Sequence, residues 1–290
     1  MGRRVGFWVA VAVLVPVLAS AQRETRTAFV SVIDKTGSPV ANLTTEDFVV
    51  SVGGVKQAVT RVAFSPPIRV VLLVDASAPV AQLFTTFRAA LNAFLDALPL
   101  DDEVAVLSIG GQLGIRQAPT TDRKKLRAAA DNFRSDGGSN PFLDSLLESD
   151  RRFLKNAPDR WPVFAILTTD DQGRMGDHED IDAFNAFVHD FVARGGTAHA
   201  LVVHGQNSGL ISDLVQNLVE NTGGVHEGLA ISNALPGKMK AMAARIAADH
   251  RAMANRYEIQ YRGSANAAQP IEVRVQREGV TVQVSLHRPF

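Results

Sequence analysis

Two five-residue runs, Val70-Val71-Leu72-Leu73-Val74 and Val163-Phe164-Ala165-Ile166-Leu167, hold no polar residue, and each is closed within three residues by an aspartate, Asp75 and Asp170. A strand with one wet face alternates apolar and polar side chains. A strand that is apolar at every position is buried on both faces, as happens in parallel sheets covered by helices on each side. The intervening segments agree. Phe84, Phe87, Leu91, Phe94, Leu95 and Leu98 recur at helical spacing, and Val104, Val106 and Ile109 follow as a strand. Residues 122–133 and 142–154 read as helices separated by Gly137-Gly138. Residues 181–192 carry Phe184, Phe187, Val188 and Phe191 on one stripe, 199–203 form a strand, and 210–219 form a helix stopped at Gly223-Gly224. Met239, Met242, Ile246 and Met253 mark a last helix, its methionines filling core. Such alternation predicts a doubly wound, mostly parallel α/β sheet over residues 67–254. Ligands of these sheets sit beyond the carboxyl ends of the strands, at the topological switch point, which is where Asp75 and Asp170 fall.

The flanks follow a different grammar. In 22–66, Phe29, Val30, Val32 and Ile33 form a strand, and Asp34 to Pro39 supply a turn. Leu43 to Phe48 make one helical turn capped between Thr44 and Asp47. Val49, Val50 and Val52 then enter a hairpin at Gly53-Gly54, with Val59, Val62 and Phe64 expected on the return strand. Ser65-Pro66-Pro67 marks a boundary. In 255–290, Tyr257, Ile259 and Tyr261 alternate with polar residues, as do Ile271, Val273 and Val275, then Val280, Val282, Val284 and Leu286. Neither β segment is large enough to stand alone. The economical arrangement is one small β domain, built from both chain ends, into which the α/β domain is inserted.

Arg3 and Arg4, the uncharged apolar stretch from Val5 to Leu18, and Ala19-Ser20-Ala21 have the order of a secretory signal peptide occupying 1–21. The stretch is short for a membrane span, which needs roughly 18 apolar residues or more. The expectation is therefore an exported protein, periplasmic or secreted, without a stable membrane anchor after cleavage. Lysine plus arginine balances aspartate plus glutamate, 30 against 30, so the chain lacks the basic field that nucleic acids attract. Cysteine is absent, which excludes disulfides, thiolate metal ligands and a thiol nucleophile.

Three loops are candidates for one site: Asp75-Ala76-Ser77-Ala78-Pro79, Gly137-Gly138-Ser139-Asn140 and Leu167-Thr168-Thr169-Asp170. Two carboxylates with hydroxyls make a hard, oxygen-only donor set suited to Mg²⁺ or another divalent cation. The same aspartates also suit the capping of neighbouring loops and helices. A further acidic run, Asp170-Asp171 and Asp177-His178-Glu179-Asp180, reads as a solvated loop and helix start.

In this order and strand context the three loops resemble those of a von Willebrand factor type A domain. That family's metal-ion-dependent adhesion site has the form Asp-x-Ser-x-Ser, then a threonine, then an aspartate. Asp75 and Ser77 match the first loop, Ser139 stands for the threonine and Asp170 matches the third loop. Leu98-Pro99-Leu100-Asp101-Asp102-Glu103-Val104 is similar to the family's entry to its second strand. Asp34-Lys35-x-Gly37-x-Pro39-Val40 with Glu46-Asp47-Phe48 resembles the N-terminal signature of a bacterial subfamily with flanking β segments. The resemblance implies protein binding, with a divalent ion held by Asp75, Ser77, Ser139 and Asp170 completing its coordination on a partner's carboxylate. Pro79 departs from it: the last serine of the motif is missing, and with it one direct ligand.

The sequence contains no G-x-S-x-G elbow, no P-loop and no His-Glu-x-x-His. Gly110-Gly111-Gln112-Leu113-Gly114 lacks dinucleotide-loop spacing and reads as a surface turn. His199 and His204 fall on opposite faces of one strand, so they share no metal. No enzymatic activity is expected. Three readings stay open: a metal-assisted protein-binding or adhesion module, a metal-free interaction scaffold of the same fold, and an exported hydrolase resting only on fold analogy.

Overall fold

The computed structural model describes residues 24–64, 67–170, 181–203, 209–230, 232–253, 255–263 and 269–285. The N-terminal segment 1–21, the acidic run 171–180, and Ser65, Pro66, His178, His204, Leu286 and His287 lie outside the described residues.

The strands are β1 (Glu24–Ile33), β2 (Phe48–Val52), β3 (Val55–Gln57), β4 (Val59–Phe64), β5 (Ile68–Asp75), β6 (Glu103–Gly110), β7 (Gln112–Thr120), β8 (Trp161–Thr169), β9 (Thr197–Val203), β10 (His226–Leu229), β11 (Arg256–Gly263), β12 (Ile271–Val275) and β13 (Thr281–Ser285). The helices are α1 (Phe84–Ala97), α2 (Arg123–Asp131), α3 (Phe142–Ser149), α4 (Ile181–Ala193), α5 (Leu210–Thr222) and α6 (Leu235–Met253). Among the described residues, no helix is long and apolar enough to cross a membrane.

Six strands form the central sheet in the order β10-β9-β8-β5-β6-β7, parallel except for β7. The two apolar runs are its middle, β5 and β8, side by side. Alternation within β5 explains why no polar residue is tolerated there. Val70, Leu72 and Val74 enter one core with α1 and α6, including Phe87, Leu91, Phe94, Met239 and Ile246. Val71 and Leu73 enter a second core on the other face, with Phe142, Leu146, Phe187, Phe191 and Leu218 from α3, α4 and α5. Connections leave β5 toward β6 on one side, and β8 lies on the other, so the switch point falls at the carboxyl ends of β5 and β8.

The two chain ends meet in a β domain. β1 pairs antiparallel with both β11 and β13, and β12 pairs with β2. The four-stranded sheet β13-β1-β11-β4 packs on the three-stranded sheet β12-β2-β3 around Val30, Val32, Phe48, Val50, Tyr257 and Ile259. Strand alternation in β1 joins the two units: Ala28, Val30 and Val32 face this β core, while Phe29 packs in the core containing α1 and α6. The Thr27 hydroxyl also donates to the Ala193 carbonyl at the end of α4, at 2.5 Å.

Three features differ from the sequence reading. The return strand of the Gly53-Gly54 hairpin is β3, whereas β4, carrying Val59, Val62 and Phe64, crosses to the other sheet and pairs with β11. The turn at Gly110-Gly111 is at the surface, with Gly111 and Gln112 exposed, but it also reverses the chain into a strand the sequence does not show, β7, an antiparallel edge strand. A short strand, β10, follows Gly223-Gly224 and closes the opposite edge.

A candidate site locked by hydrogen bonds

Asp75 closes β5 and is fully buried. Its strand neighbours set that position, because β5 pairs with β6 through Asp75 itself and with β8 through Val74. The loop after it returns at once. Oδ1 accepts the Ser77 backbone N–H at 2.9 Å and the Ser77 hydroxyl at 2.6 Å. Oδ2 accepts the Thr169 hydroxyl at 2.5 Å, the Thr169 backbone N–H at 3.3 Å and the Asn140 side-chain N–H at 3.0 Å. One carboxylate therefore takes five donors from three loops.

Asn140 spans two of those loops, its Nδ2 donating to the Thr168 hydroxyl at 3.1 Å as well as to Asp75. The orientation of this amide follows from chemistry. The opposite flip would set Oδ1 against the Asp75 carboxylate, acceptor facing acceptor. As it stands, Oδ1 is buried without a hydrogen-bond partner among the described residues. Leaving it so costs about 1–3 kcal/mol, which the two N–H bonds offset.

Backbone bonds knit the same loops. Ala76 N–H donates to Ile109 O at 2.6 Å, Asp136 N–H to Ala76 O at 2.9 Å, Ala78 N–H to Gly138 O at 3.0 Å and Gly111 N–H to Ser139 O at 2.8 Å. Gly138 is demanded by this approach: its φ is +67°, and a Cβ there would lie 2.8 Å from the Gly111 Cα.

The four residues expected to share a metal are placed as follows. Asp75 and Ser77 are in direct contact and almost fully buried. Ser139 sits half-buried on the second loop, one residue before the asparagine that reaches Asp75. Asp170 is buried at the end of β8, but its carboxylate engages the start of α5. Oδ2 accepts the Gly209 N–H at 2.7 Å and Oδ1 the Ser212 N–H at 3.4 Å, a helix-capping role that suits an anion at a helix N-terminus. Pro79 stands half-exposed with no hydroxyl to offer.

As these side chains stand, the donor set does not fit a bare divalent ion. A cation would need the lone pairs of Asp75 that five protein donors occupy, and the group nearest Oδ2 from the second loop is an N–H, which repels a cation. Among the described residues no cluster of three or more acidic or histidine side chains is arranged to hold a metal. Asn140, Thr168 and Thr169 stand in the three candidate loops, but no motif in the sequence gives them a role. Their only sequence signal is that polar residues which end up buried stand at the ends of otherwise apolar strands or beside glycines.

Comparison with solved structures identifies the fold as that of von Willebrand factor type A domains. The chain is similar to a von Willebrand factor type A protein from Catenulispora acidiphila, with TM-score 0.53, 15% identity, and coverage of 79% of this chain and 51% of that one. It is also similar to proximal thread matrix protein 1 of the mussel byssus, in a structure whose metal-ion-dependent adhesion site holds zinc. There the TM-score is 0.50 and the identity 12%, with coverage of 69% and 49%. The chain spans about half the length of both. No protein-family model matches the sequence, and no curated protein matches it.

Proposed function

We propose that this protein is an exported protein-binding module that presents the loop surface above Asp75 to a partner, with the Asp75–Asn140 hydrogen-bond network doing the structural work a metal ion performs elsewhere in this fold. One observation carries the reading: the Asp75 carboxylate is saturated by Ser77, Asn140 and Thr169. The network fixes three loops to one another and leaves Ala78, Pro79, Gly138 and Ser139 at the surface, exposed or half-exposed. Rigid loops on a packed scaffold are the usual form of a recognition surface.

Burial of the polar groups supports binding rather than turnover. Asp75, Ser77, Asn140, Thr168 and Thr169 are each 3% exposed or less, so their hydroxyls and carboxylate are spent on one another, out of reach of a substrate. Export rests on the charge and apolar pattern of residues 1–21. Expression of the full chain in a secretion-competent bacterium should yield a mature protein beginning at Gln22.

A second reading, the metal-assisted module, is favoured by the unpartnered Asn140 Oδ1. Half a turn of that amide would exchange an N–H donor for an oxygen ligand beside Asp75 and Thr168. The zinc held by the mussel byssus protein shows that this fold accommodates such an ion. Calorimetric titration of the mature protein with Mg²⁺, Mn²⁺ and Ca²⁺ separates the two readings. The hydrogen-bonded lock predicts no saturable binding, and partner capture unchanged by chelation. Saturable binding abolished by Asp75→Ala would overturn it in favour of the ion.

A further inference from the structure

β7 ends the central sheet. It pairs with β6 on one side, and among the described residues its other edge carries a row of backbone N–H and C=O groups facing no strand. Natural proteins blunt such edges with prolines and bulges, because an open edge recruits another chain. Here those devices sit in the far half only. The register breaks fall opposite Ile115 to Thr120, and Pro119 lies within them. From Gln112 to Ile115 the pairing with β6 is unbroken.

A groove runs along that same stretch. Two cavities, of about 270 and 410 Å³, open beside β7 and share Ile115 and Arg116 as a common wall. Ala128 and Ala129 of α2, with the 43%-exposed Ile115, provide an apolar floor. The charge along the groove is one-sided. Arg116 is tied down: its guanidinium pairs with Asp136, donates to the Arg134 carbonyl and lies 5.5 Å from the Phe133 ring centre. Asp136, the acid lining the smaller cavity, is spent on Arg116 and on the Ser108 hydroxyl at 2.6 Å. Lys125 and Arg134 remain projecting from the wall of the larger cavity. Lys125 is 65% exposed, with Asp122 no nearer than 3.9 Å, and Arg134 is exposed. A chain with no net charge thus carries a local cationic groove beside its one regular stretch of open β7 edge.

We propose that the β7 edge accepts an extended acidic segment of a partner protein as an added strand, its backbone pairing along Gln112–Ile115 and its carboxylates meeting Lys125 and Arg134. Strand addition supplies affinity through main-chain hydrogen bonds and specificity through the side chains that alternate into the groove. The unbroken edge is about 14 Å long at ~3.4 Å per residue, so a short linear segment suffices. This surface uses none of the side chains that hydrogen-bond the Asp75 carboxylate, although Asp136, in the wall of its smaller cavity, also bonds through its backbone N–H to Ala76 O.

Fluorescence anisotropy on the full mature chain tests it. The probes are a labelled octapeptide of alternating valine and glutamate, its lysine counterpart, and the glutamate peptide N-methylated at alternate residues. The glutamate peptide should bind saturably, at least about tenfold tighter than the lysine peptide, and lose affinity on N-methylation. Lys125→Glu with Arg134→Glu, both at exposed positions, should weaken the glutamate peptide about tenfold and strengthen the lysine peptide. Equal binding of the two peptides, indifference to N-methylation, or no saturable binding of the glutamate peptide would each overturn the proposal.

Discussion

Asp75→Ala separates a hydrogen-bonded lock from a metal site by the sign of its effect on stability. In the lock, the carboxylate accepts five donors: two from Ser77, two from Thr169 and one from Asn140. Alanine strands all five in a region where Ser77, Asn140 and Thr169 are 3% exposed or less. Each buried orphan costs about 1–3 kcal/mol, but they relax together, so the sum is not the effect. Breaking one partner of a buried charged network typically costs about 3–5 kcal/mol, and that is the expected loss. In an α/β domain of this size it lowers the melting temperature by roughly 10 °C. The measurement is thermal and urea unfolding of parent and variant in chelator, repeated with excess magnesium. A cation site predicts the reverse in chelator. An ion-depleted cluster of acidic oxygens is self-repelling, so removing a carboxylate is neutral or stabilising. If Asp75→Ala equals or exceeds the parent in chelator, the reasoning from the network is wrong. Asn140→Ala should lose less than Asp75→Ala, and the double variant should fall well short of additivity.

Other expectations follow from single contacts. His199 is buried in β9, and burial, helped by the nearby Arg245 charge, lowers its pKa from 6.5 to about 4. Between those values the unfolded chain binds the extra proton, so stability should fall as pH drops from 6.5 toward 4, by about 3 kcal/mol in all, and His199→Gln should flatten that part of the profile in a denaturation series. Tyr257→Phe removes a hydroxyl that donates to Val40 O at 2.8 Å and accepts the Leu43 N–H at 3.1 Å. The loss should be about 1–3 kcal/mol, seen as faster proteolysis of the β domain. Gly224→Ala would set a Cβ 1.7 Å from the Ala198 carbonyl oxygen, backbone against side chain, and should lower stability by at least about 3 kcal/mol in urea unfolding.

How much was legible in the chain follows from where the information is stored. β5 and β8, α1 with its phenylalanine stripe, and α6 with its methionines are written as local periodicity, because each must bury a continuous face. β7 was not legible: Gly114, Pro119 and a charged Arg116 give it no alternation, and it becomes a strand because β6 offers it an edge. β10 is four residues long, too short for a period to show. β4 is legible as a strand but its partner is not, since pairing with β11 joins residues some two hundred positions apart.

The candidate site divides in the same way. That Asp75, Ser77, Ser139 and Asp170 belong to loops launched from one sheet edge follows from sequence, because strand alternation and parallel winding put those loops there. What the two carboxylates do there is a tertiary matter. Asp170 turns to cap α5, Asp75 is enclosed by Ser77 and Thr169, and Asn140 directs an N–H where the motif's resemblance implied a cation. Residue type sets which groups arrive at a point, since it travels with the chain. Direction and partner are set by loop packing across large separations, and no local pattern encodes them.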